Sequence, residues 1–558
     1  MNRTRWWLLK DVKIPVEDHF NTNIRTGSHD NKEEKDSNSS HDDQLLFSCA
    51  AKMMGIPVSS VTAVKRIRES VDARKKDQLL VVYTLAVKSL SAPRRSEAIT
   101  PYEETCSILN EIDRSGLETV FASRPIVVGA GPCGLFCALT LAKAGLKPIL
   151  LERGLPVERR AIDVKSYWQG GSLNPESNVQ FGEGGAGTFS DGKLTTRIND
   201  PRCQTVLETF ISCGAPANIA YLTKPHIGTD KLRQSVITLR NTLLGLGTTI
   251  LYSAKVEQLM IKNRCIQGVL LADGTKIDSE IVVLAIGHSA RDSYEMLFNT
   301  GISMTAKAFS VGVRIEHKQS DIDLARYGNH RHSKLGVAEY QLFEKVGGRT
   351  AYTFCMCPGG IVVASASEKD TIVTNGMSYY SRNKENANSA FVVSIDPSDF
   401  GSHPLDGIAY QRRLEKSAFT LGGSSGAAPI QRLEDFMKGQ RTTKVGNIKP
   451  SYTGQTRLSR LDEELPSYLT DSMRKTALVF ERKMCGFSVP DAILTGYETR
   501  TSSPVRILRG DNGVADGMKG LYPSGEGAGY AGGIMSASVD GIKTAEKIIK
   551  TYFTDSIS

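Results

Sequence analysis

Residues 126–134 read IVVGAGPCG, an apolar run that leads directly into a G-x-G-x-x-G motif. In a dinucleotide-binding unit, each glycine of this motif has its own task. Gly129 permits a tight turn, Gly131 lets the backbone approach a pyrophosphate, and Gly134 lets the following helix pack close to the strand. Apolar side chains recur at helical spacing over residues 135–142, which predicts that helix. The stretch therefore predicts a strand, a glycine turn and a helix that together bind a dinucleotide.

The residues around this motif indicate the same kind of site. Pro132 suits the first helical turn, because its missing N–H would have no intrahelical partner there, and Cys133 follows it. The next predicted strand, residues 148–151, ends on Glu152 and precedes Arg153. A carboxylate about 20 residues beyond the glycines accepts hydrogen bonds from both ribose hydroxyls and disfavours a 2′-phosphate. We therefore expect FAD or NAD at this site rather than NADP.

Two later segments favour FAD over NAD. Residues 281–288 form an apolar strand that ends in A-x-G at Gly287, and this resembles the A-T-G strand of two-dinucleotide-fold flavoproteins. Residues 520–534 are glycine-rich and precede a predicted helix. They resemble the G-D segment that binds the ribityl chain in flavoproteins of the glutathione-reductase type, with Gly525 followed here by Glu526 in place of Asp.

The long separation of these segments indicates an interrupted domain. Of the three G-x-G-x-x-G matches in the chain, at 129–134, 182–187 and 527–532, only the first directly follows an apolar strand, whereas flavin disulfide reductases of the glutathione-reductase type carry a second such strand and motif for NAD(P)H. The expected fold class is α/β, with a Rossmann-like FAD-binding domain at 121–305 and 490–555 that is interrupted by a mixed α/β substrate domain at 306–489. A small N-terminal α/β domain is expected at 1–115. It contains the polar stretch 21–43, which we expect to be a disordered insertion.

Several further segments carry a family resemblance. They are FGEGGAGTFSDGKL at 181–194, GVRIEH at 312–317, FCMCPGG at 354–360, NGMS at 375–378 and ETRTSSP at 498–504. Together with the glycine-rich segment near the C-terminus, they resemble the FAD-dependent dehydrogenase or NAD(P)/FAD-dependent oxidoreductase family of bacteria and plastid-bearing eukaryotes. That family has a two-dinucleotide-fold, glutathione-reductase-type FAD domain, and its substrate is largely unassigned. The resemblance implies the fold and a FAD cofactor.

The expected cofactor site draws on all of these segments. Small residues at 185–187 would let the backbone lie flat against an isoalloxazine ring. The residues expected to bind FAD are Gly129, Gly131, Pro132, Cys133, Gly134, Glu152, Arg153, Gly185, Ala186, Gly187, Lys193, Val256, Gly287, Gly525, Glu526, Gly533 and Ile534. His288 and His317 are candidate proton donors, with a structural role as the favoured alternative. No C-x-x-C or H-E-x-x-H pattern occurs in the sequence, so no metal site is expected.

Three residues are candidates for chemistry beside the flavin. Lys193 could stabilise negative charge on a reduced flavin or an oxyanion, with a surface lysine in a turn as the alternative. Arg500 could clamp a substrate carboxylate through two hydrogen bonds, with an internal pair to Glu498 as the alternative. Cys355 is a third candidate, but its spacing from Cys357 would strain a disulfide, and burial is the favoured interpretation of both thiols.

The composition is typical of a globular protein with reduced thiols. The 558 residues include 10 cysteines and carry a net charge of +9. The chain is too long for one ordinary domain and too poor in cysteine for a disulfide-dense secreted scaffold. Residues 125–142 are uncharged, but their glycines and proline would interrupt a membrane helix. We expect a soluble, intracellular protein that is cytoplasmic by default. A location in a plastid or another organelle stays open, and so does the oligomeric state.

The sequence predicts a FAD-dependent oxidoreductase, either a dehydrogenase or a reductase. We expect hydride transfer between flavin N5 and a small organic substrate, and the basic balance is compatible with an anionic one. NAD(P)H stays open as a transient electron donor. One alternative is a non-catalytic, FAD-stabilised scaffold. The other is a FAD-bound RNA-modification or RNA-binding factor that uses the basic segment 65–76. The favoured interpretation of this segment is a charged face exposed to solvent, so a nucleic-acid partner is not expected.

Replacing Arg66, Arg68 and Arg74 by alanine tests the RNA alternative. Contacts to phosphates release counterions, so the affinity of an RNA-binding surface falls steeply with salt. We expect the replacements to leave the affinity for a single-stranded RNA unchanged, measured by fluorescence anisotropy between about 50 and 200 mM salt. A steep salt dependence in the wild type that the triple replacement abolishes would instead establish RNA binding.

Overall fold

The structure is a computed structural model that describes residues 4–20, 37–103, 123–330, 332 and 335–555. Residues 21–36 of the predicted insertion lie outside the described residues, as does the predicted boundary between residues 115 and 121. The chain divides into two compact units, which are residues 1–106, 217–225 and 323–338, and residues 107–216, 226–322 and 339–558.

The helices and strands of the described residues are numbered in chain order. The α-helices are α1 (Val16–Phe20), α2 (Ser37–Met54), α3 (Pro132–Lys143), α4 (Val157–Trp168), α5 (Arg202–Ser212), α6 (Thr229–Gly245), α7 (Arg291–Asn299), α8 (Gln319–Tyr327), α9 (Pro397–Phe400), α10 (Asp406–Leu421), α11 (Leu433–Lys438), α12 (Ser467–Lys483) and α13 (Ile534–Asp555). The β-strands are β1 (Arg5–Pro15), β2 (Val61–Asp72), β3 (Leu80–Ser89), β4 (Ile99–Pro101), β5 (Ile126–Val128), β6 (Ile149–Leu151), β7 (Thr249–Leu251), β8 (Val256–Lys262), β9 (Cys265–Leu271), β10 (Lys276–Asp278), β11 (Val282–Leu284), β12 (Met304–Ala306), β13 (Phe309–Lys318), β14 (Phe343–Val346), β15 (Arg349–Cys357), β16 (Ile361–Ala364), β17 (Thr374–Met377), β18 (Asn386–Ile395), β19 (Ala428–Arg432), β20 (Thr456–Leu458), β21 (Ile493–Glu498), β22 (Val505–Ile507) and β23 (Leu521–Pro523).

The first unit is built on a four-stranded antiparallel sheet with the order β2-β3-β1-β4. Helix α2 packs on this sheet and buries Leu46, Ala50 and Met54. The helix begins at Ser37, so the described end of the predicted insertion is helical. Most of the basic segment 65–76 lies in the edge strand β2.

The second unit contains a five-stranded parallel sheet with the order β23-β11-β5-β6-β7. The residues of β5, β11 and β23 are all buried, as in parallel sheets that are covered on both faces. Strand β23 pairs with β11, although the strands of a second, larger sheet separate the two in the sequence. The five-stranded parallel sheet is thus interrupted in the sequence by the strands of the larger sheet.

The larger sheet of the second unit has seven strands in the order β14-β15-β18-β13-β21-β19-β20. Its central strands β13 and β18 pair antiparallel over ten residues, from Phe309–Ile395 to Lys318–Asn386. Parallel and antiparallel sheets in one chain confirm the predicted mixed α/β class. The predicted boundaries at 305/306 and 489/490 fall inside this compact unit and stay predictions. In the described part of the chain, no helix is long and apolar enough to cross a membrane.

Phe391 tests the packing of the seven-stranded sheet. Its side chain is fully buried, and its ring centroid lies 5.7 Å from those of both Phe480 and Phe487. We expect Phe391→Ala to lower the free energy of unfolding in urea by about 3–5 kcal/mol, because it leaves a cavity. Leu478→Ala is the matched control, since Leu478 is 58% exposed and its loss should change stability by less than about 0.5 kcal/mol. Equal losses in both variants would contradict this account of the core.

Candidate functional site

A deep cavity of the second unit lies at the carboxyl ends of four strands of the parallel sheet. Its walls include Gly129 after β5, Glu152 after β6, Ala285 after β11 and Ser524 after β23. Including the part open to solvent, it holds about 1640 Å³ of empty space. Ligands of open α/β sheets bind at this edge, where the strand order reverses.

The glycine turn brings bare backbone to the cavity. Gly129 has φ 103°, and a side chain there would place Cβ 2.4 Å from the carbonyl oxygen of Ala285. Helix α3 begins at Pro132, and its N-cap, Gly131, makes no side-chain capping bond. The first amides of helix α3 therefore have no side-chain cap, and they lie at a wall of the cavity. Uncapped amides at the start of a helix are the arrangement that binds a pyrophosphate.

Glu152 is held in place at the end of β6. It is 4% exposed, and its carboxylate accepts backbone N–H bonds from Ala130 at 2.9 Å, Gly154 at 2.8 Å and Gly182 at 3.1 Å. Each carboxylate oxygen accepts about two hydrogen bonds, so one acceptor site remains, on Oε2, for a ribose hydroxyl. The residues at this edge of the cavity thus fit the adenosine half of FAD.

A second glycine-rich loop, residues 178–187, crosses the cavity and is organised by Arg160 of α4. The Arg160 side chain is fully buried, and burial lowers its pKa to about 9. Its guanidinium donates to the carbonyl oxygens of Asn178, Val179, Gly182, Glu183 and Gly185 at 2.8–3.2 Å. A Cβ on Gly185 would lie 3.1 Å from Cα of Gly131, so the two glycine loops approach backbone to backbone.

The C-terminal glycine-rich loop forms another wall. Tyr294 donates to the carbonyl oxygen of Gly527 at 2.7 Å, and the N–H of Gly525 donates to Asp540 at 2.7 Å. Glu526 lines the cavity, and its nearest hydrogen-bond donor is the N–H of Gly533 at 3.5 Å. Burial raises the pKa of Glu526 to about 7, against the lowering effects of that N–H and of Lys307.

The cavity brings together nearly all of the residues predicted from the sequence. Those that line it are Gly129, Gly131, Pro132, Cys133, Glu152, Arg153, Gly185, Ala186, Gly187, Lys193, Val256, Gly287, Cys355, Arg500, Glu526, Gly533 and Ile534. Gly134 and Gly525 are not among the lining residues. A Cβ on Gly134 would lie 1.8 Å from the carbonyl oxygen of Gly129, so its role is close packing.

Lys193 lines the cavity and is partly buried. Its Nζ donates to the carbonyl oxygen of Met356 and lies 3.4 Å from Glu339. Burial alone would lower the pKa of Lys193, but Glu339 and Asp191 raise it above the ordinary lysine value. The ammonium is therefore a fixed positive charge at the cavity.

Arg500 lines the cavity, but its guanidinium is used inside the protein. It donates to Glu415 at 3.0 and 2.9 Å, and to Ser367 at 2.6 Å. The internal partner is thus Glu415, and the partner suggested by the sequence, Glu498, pairs with Arg314 at 3.0 Å instead. This geometry corrects the expectation that Arg500 clamps a substrate carboxylate, because its guanidinium already makes a bidentate ion pair with Glu415.

Cys355 departs from the predicted burial. It lies at a bulge of β15 with φ 43°, and its side chain is exposed towards the cavity, whereas Cys357 is buried. Arg314 donates to the carbonyl oxygen of Cys355 at 2.6 Å and holds this left-handed backbone in place. The bulge also means that the two thiols do not share one face of a regular strand.

Both candidate histidines are neutral at physiological pH. Burial, with Arg500 and Arg291 nearby, lowers the pKa of His288 to about 4, and burial lowers that of His317 to about 4. His317 donates to the carbonyl oxygen of Phe487 at 2.7 Å, which is a structural role, whereas His288 lines the cavity. Among the described residues, no group of three or more His, Cys, Asp or Glu could hold a metal ion.

Many lining residues were not predicted as site residues. Glu498 and Asn375 are among them. Both lie in segments that carry the family resemblance, ETRTSSP and NGMS, so the sequence held a signal for them. Their position at one wall follows from strands β17 and β21, which are distant in the sequence.

Comparisons with known proteins give the class and then the family. Residues 308–501 match the family described as "FAD-dependent protein, C-terminal domain-like", and residues 36–88 match a domain of unknown function, DUF8436. The first match places the segment 308–501 in the class of FAD-dependent proteins. Over 526 residues it is 47% identical to a protein of Clostridium beijerinckii (strain ATCC 51743 / NCIMB 8052) described as "Uncharacterized protein", covering 92% of this chain and 98% of that protein. The chain belongs to the same family as this clostridial protein.

Solved structures with a related arrangement are more distant. The chain is similar to FrdA of Escherichia coli quinol fumarate reductase, at 13% identity and a TM-score of 0.36, over 78% of this chain and 71% of that one. It is also similar to the halogenase PltM, at 10% identity and a TM-score of 0.36, over 78% of this chain and 70% of that one. Similarities at this level support no statement about the activity of this chain.

Gly129→Ala tests the nucleotide turn. The new methyl group would contact the carbonyl of Ala285, and φ 103° disfavours any side chain, so we expect at least about tenfold weaker FAD binding. The flavin absorbance per polypeptide of the purified protein measures this loss. Gly245→Ala is the control, because its Cβ would meet no atom within 4 Å, and it should retain full flavin content. Full flavin content in both variants would contradict the assignment of the turn.

Proposed function

We propose that this protein is a FAD-dependent oxidoreductase that transfers a hydride between flavin N5 and a small organic substrate. The observation that carries the proposal is one cavity that is lined both by the glycine turn that begins at Gly129 and by Lys193, Cys355 and Glu498. Membership of a FAD-dependent family supports the cofactor. An anionic substrate is favoured by the fixed charge of Lys193.

The residues that would hold FAD follow from the chemistry of each wall. The amides at the start of α3 would bind the pyrophosphate, and Glu152 would accept bonds from the adenosine ribose. Glu526 would accept from the ribityl hydroxyls, and the small residues 185–187 would lie against the ring. When bound, FAD supplies two-electron hydride chemistry, and the protein supplies position and charge.

The substrate would meet the flavin at the wall formed by the family-matched segment 308–501. Within this segment, residues 306–489 contribute Phe354, Cys355, Asn375 and other lining residues, which supports the proposal that they act as a substrate domain. A lysine ammonium has three donors, and the two contacts of Lys193 leave one for a substrate oxygen. Lys193 would thereby orient the substrate and stabilise negative charge on its oxygen.

An anaerobic absorbance titration tests this function. We expect the purified protein to show flavin absorbance that dithionite bleaches. Bleaching by NADH or NADPH as well would identify a reductase, whereas resistance to both would indicate that electrons come from the substrate or a protein partner.

Two results would contradict the proposal. A colourless protein that takes up no FAD would remove the flavoprotein function altogether. A bound flavin that dithionite cannot reduce would favour the non-catalytic scaffold. The Gly129→Ala protein is the control, because its lower flavin content should reduce the absorbance change in proportion.

A further inference from the structure

A bulge of strand β15 turns two neighbouring side chains to the cavity. The register of β15 with β18 shifts between Phe354 and Cys357, so two residues, Cys355 and Met356, stand where a regular strand has one. Consecutive side chains of a regular strand point to opposite faces. At the bulge, Phe354 and Cys355 are both exposed and both line the cavity. The bulge therefore places an aromatic ring and a thiol next to each other at the cavity, and bulges are frequent beside active sites for this reason.

Two cations hold the bulge in this shape. Arg314 is fully buried and donates to the carbonyl oxygen of Cys355 at 2.6 Å and to Glu498 at 3.0 Å. Lys193 donates to the carbonyl oxygen of Met356. The carbonyls of both bulge residues are thus bound by charged donors, whose hydrogen bonds are stronger than those of neutral donors. The exposed ring therefore belongs to a fixed part of the cavity wall.

The ring of Phe354 is accessible to a ligand. Phe354 is 39% exposed, and its ring packs edge to face on Tyr352 with 6.3 Å between the centroids. An exposed apolar side chain on an open surface is ordinary, but this one lines a cavity. Ligand pockets combine apolar and aromatic walls with a few polar groups that fix orientation. A planar apolar group that covers this ring removes the surfaces of both from water, which favours binding.

Lys193 supplies the polar group beside this ring. Its Nζ contacts Met356, which is two residues beyond Phe354, and two residues span at most about 7 Å of chain. The Lys193 side chain is 24% exposed and lines the cavity. Its contacts with Met356 and Glu339 leave one ammonium donor unused. A ligand that covers the ring of Phe354 can therefore reach this donor with an acceptor oxygen.

We propose that Phe354 determines the specificity of the cavity, and that the substrate carries an aromatic ring, which lies on Phe354, and a carboxylate, which accepts a hydrogen bond from Lys193. The proposal rests on the proposed function, because it names the substrate class of that oxidoreductase. Phe354 contributes binding and orientation, and no proton or electron passes through its ring.

The first test measures binding to the FAD-loaded protein by isothermal titration calorimetry with three probes. Benzoate has the ring and the carboxylate, acetate has the carboxylate without a ring, and benzyl alcohol has the ring without a charge. We expect benzoate to bind with a Kd at least about tenfold lower than that of either other probe, because it alone uses both groups. Equal Kd values for benzoate and acetate would overturn the proposal.

Replacing Phe354 separates the ring from the charge. Phe354→Ala should raise the Kd of benzoate at least about tenfold and leave that of acetate unchanged, and Phe354→Leu should lie between the two proteins. Phe343→Ala is the matched control, because Phe343 is 67% exposed and is not a lining residue of the cavity. It should bind all three probes as the wild type does. A Phe354→Ala protein that loses FAD but keeps its benzoate affinity would assign the ring to the flavin and refute the proposal.

Replacing Lys193 tests the other contact. Lys193→Met keeps a long apolar side chain and removes the ammonium, so it should raise the Kd of benzoate at least about tenfold. The Kd of benzyl alcohol should stay as in the wild type, which also shows that the wall has kept its shape. Equal losses of affinity for both probes would contradict the contact between the carboxylate and Lys193.

A labelling experiment on the wild type locates the probe without any substitution. Cys355 is exposed beside Phe354, and its reaction with N-ethylmaleimide can be followed in the FAD-loaded protein by peptide mass spectrometry. Benzoate at about ten times its Kd should slow this labelling about tenfold, because the unoccupied fraction falls in that proportion. Cys485 is also exposed but does not line the cavity, so its labelling should not change. A Cys355 that benzoate leaves unprotected, or that is already unreactive with FAD alone, would place the ligand elsewhere and defeat the proposal.

The outcomes distinguish a wrong substrate class from a wrong function. A flavin that dithionite reduces, together with equal affinities for benzoate and acetate, would leave the oxidoreductase intact and remove only the substrate class. A protein that binds no FAD would remove the proposed function, and the substrate class would fall with it.

Discussion

The cavity depends on one buried guanidinium. Arg160 is fully enclosed, and its donors are spent on five carbonyl oxygens of the loop at 178–185. A glycine-rich loop has high conformational entropy and cannot hold one shape without such bonds. Glu183 of the same loop accepts from Tyr252 at 2.6 Å and from Arg240 at 2.8 Å, which ties the loop to the end of β7 and to α6. The fixed loop then presents small residues and backbone to the cavity.

A second constraint on the site is that most charged side chains near the cavity form ion pairs with one another. Glu415 is fully buried between Arg291 and Arg500, and both arginines hold its pKa far below the usual glutamate range despite burial. Removing one member of such a group leaves an uncompensated buried charge. The residues that remain for a ligand are therefore few, and Lys193 stands out because its two contacts leave one ammonium donor unused.

Several features of the site follow from local sequence. The strand, turn and helix at 126–143 were predictable. The apolar run of the strand, the glycines of the turn and the periodicity of the helix are each contained within a short stretch of sequence. The position of Glu152 at the end of β6 follows from the same local rules. The internal partner of Arg500 was not predictable, because Glu415 comes from helix α10 and its distance from Arg500 depends on how that helix packs. The exposure of Cys355 depends on a bulge whose cause, the bond from Arg314, lies on another strand.

By itself, the sequence determined the fold class and the strand, turn and helix at 126–143, since these rest on contiguous motifs. The tertiary structure decided which polar groups are free to act. Arg500 and Glu498 are two residues apart, yet Arg500 is held by Glu415 and Glu498 is held by Arg314. The physical reason is that a hydrogen bond needs its partners within about 3 Å, and those partners come from elements that are distant in the chain.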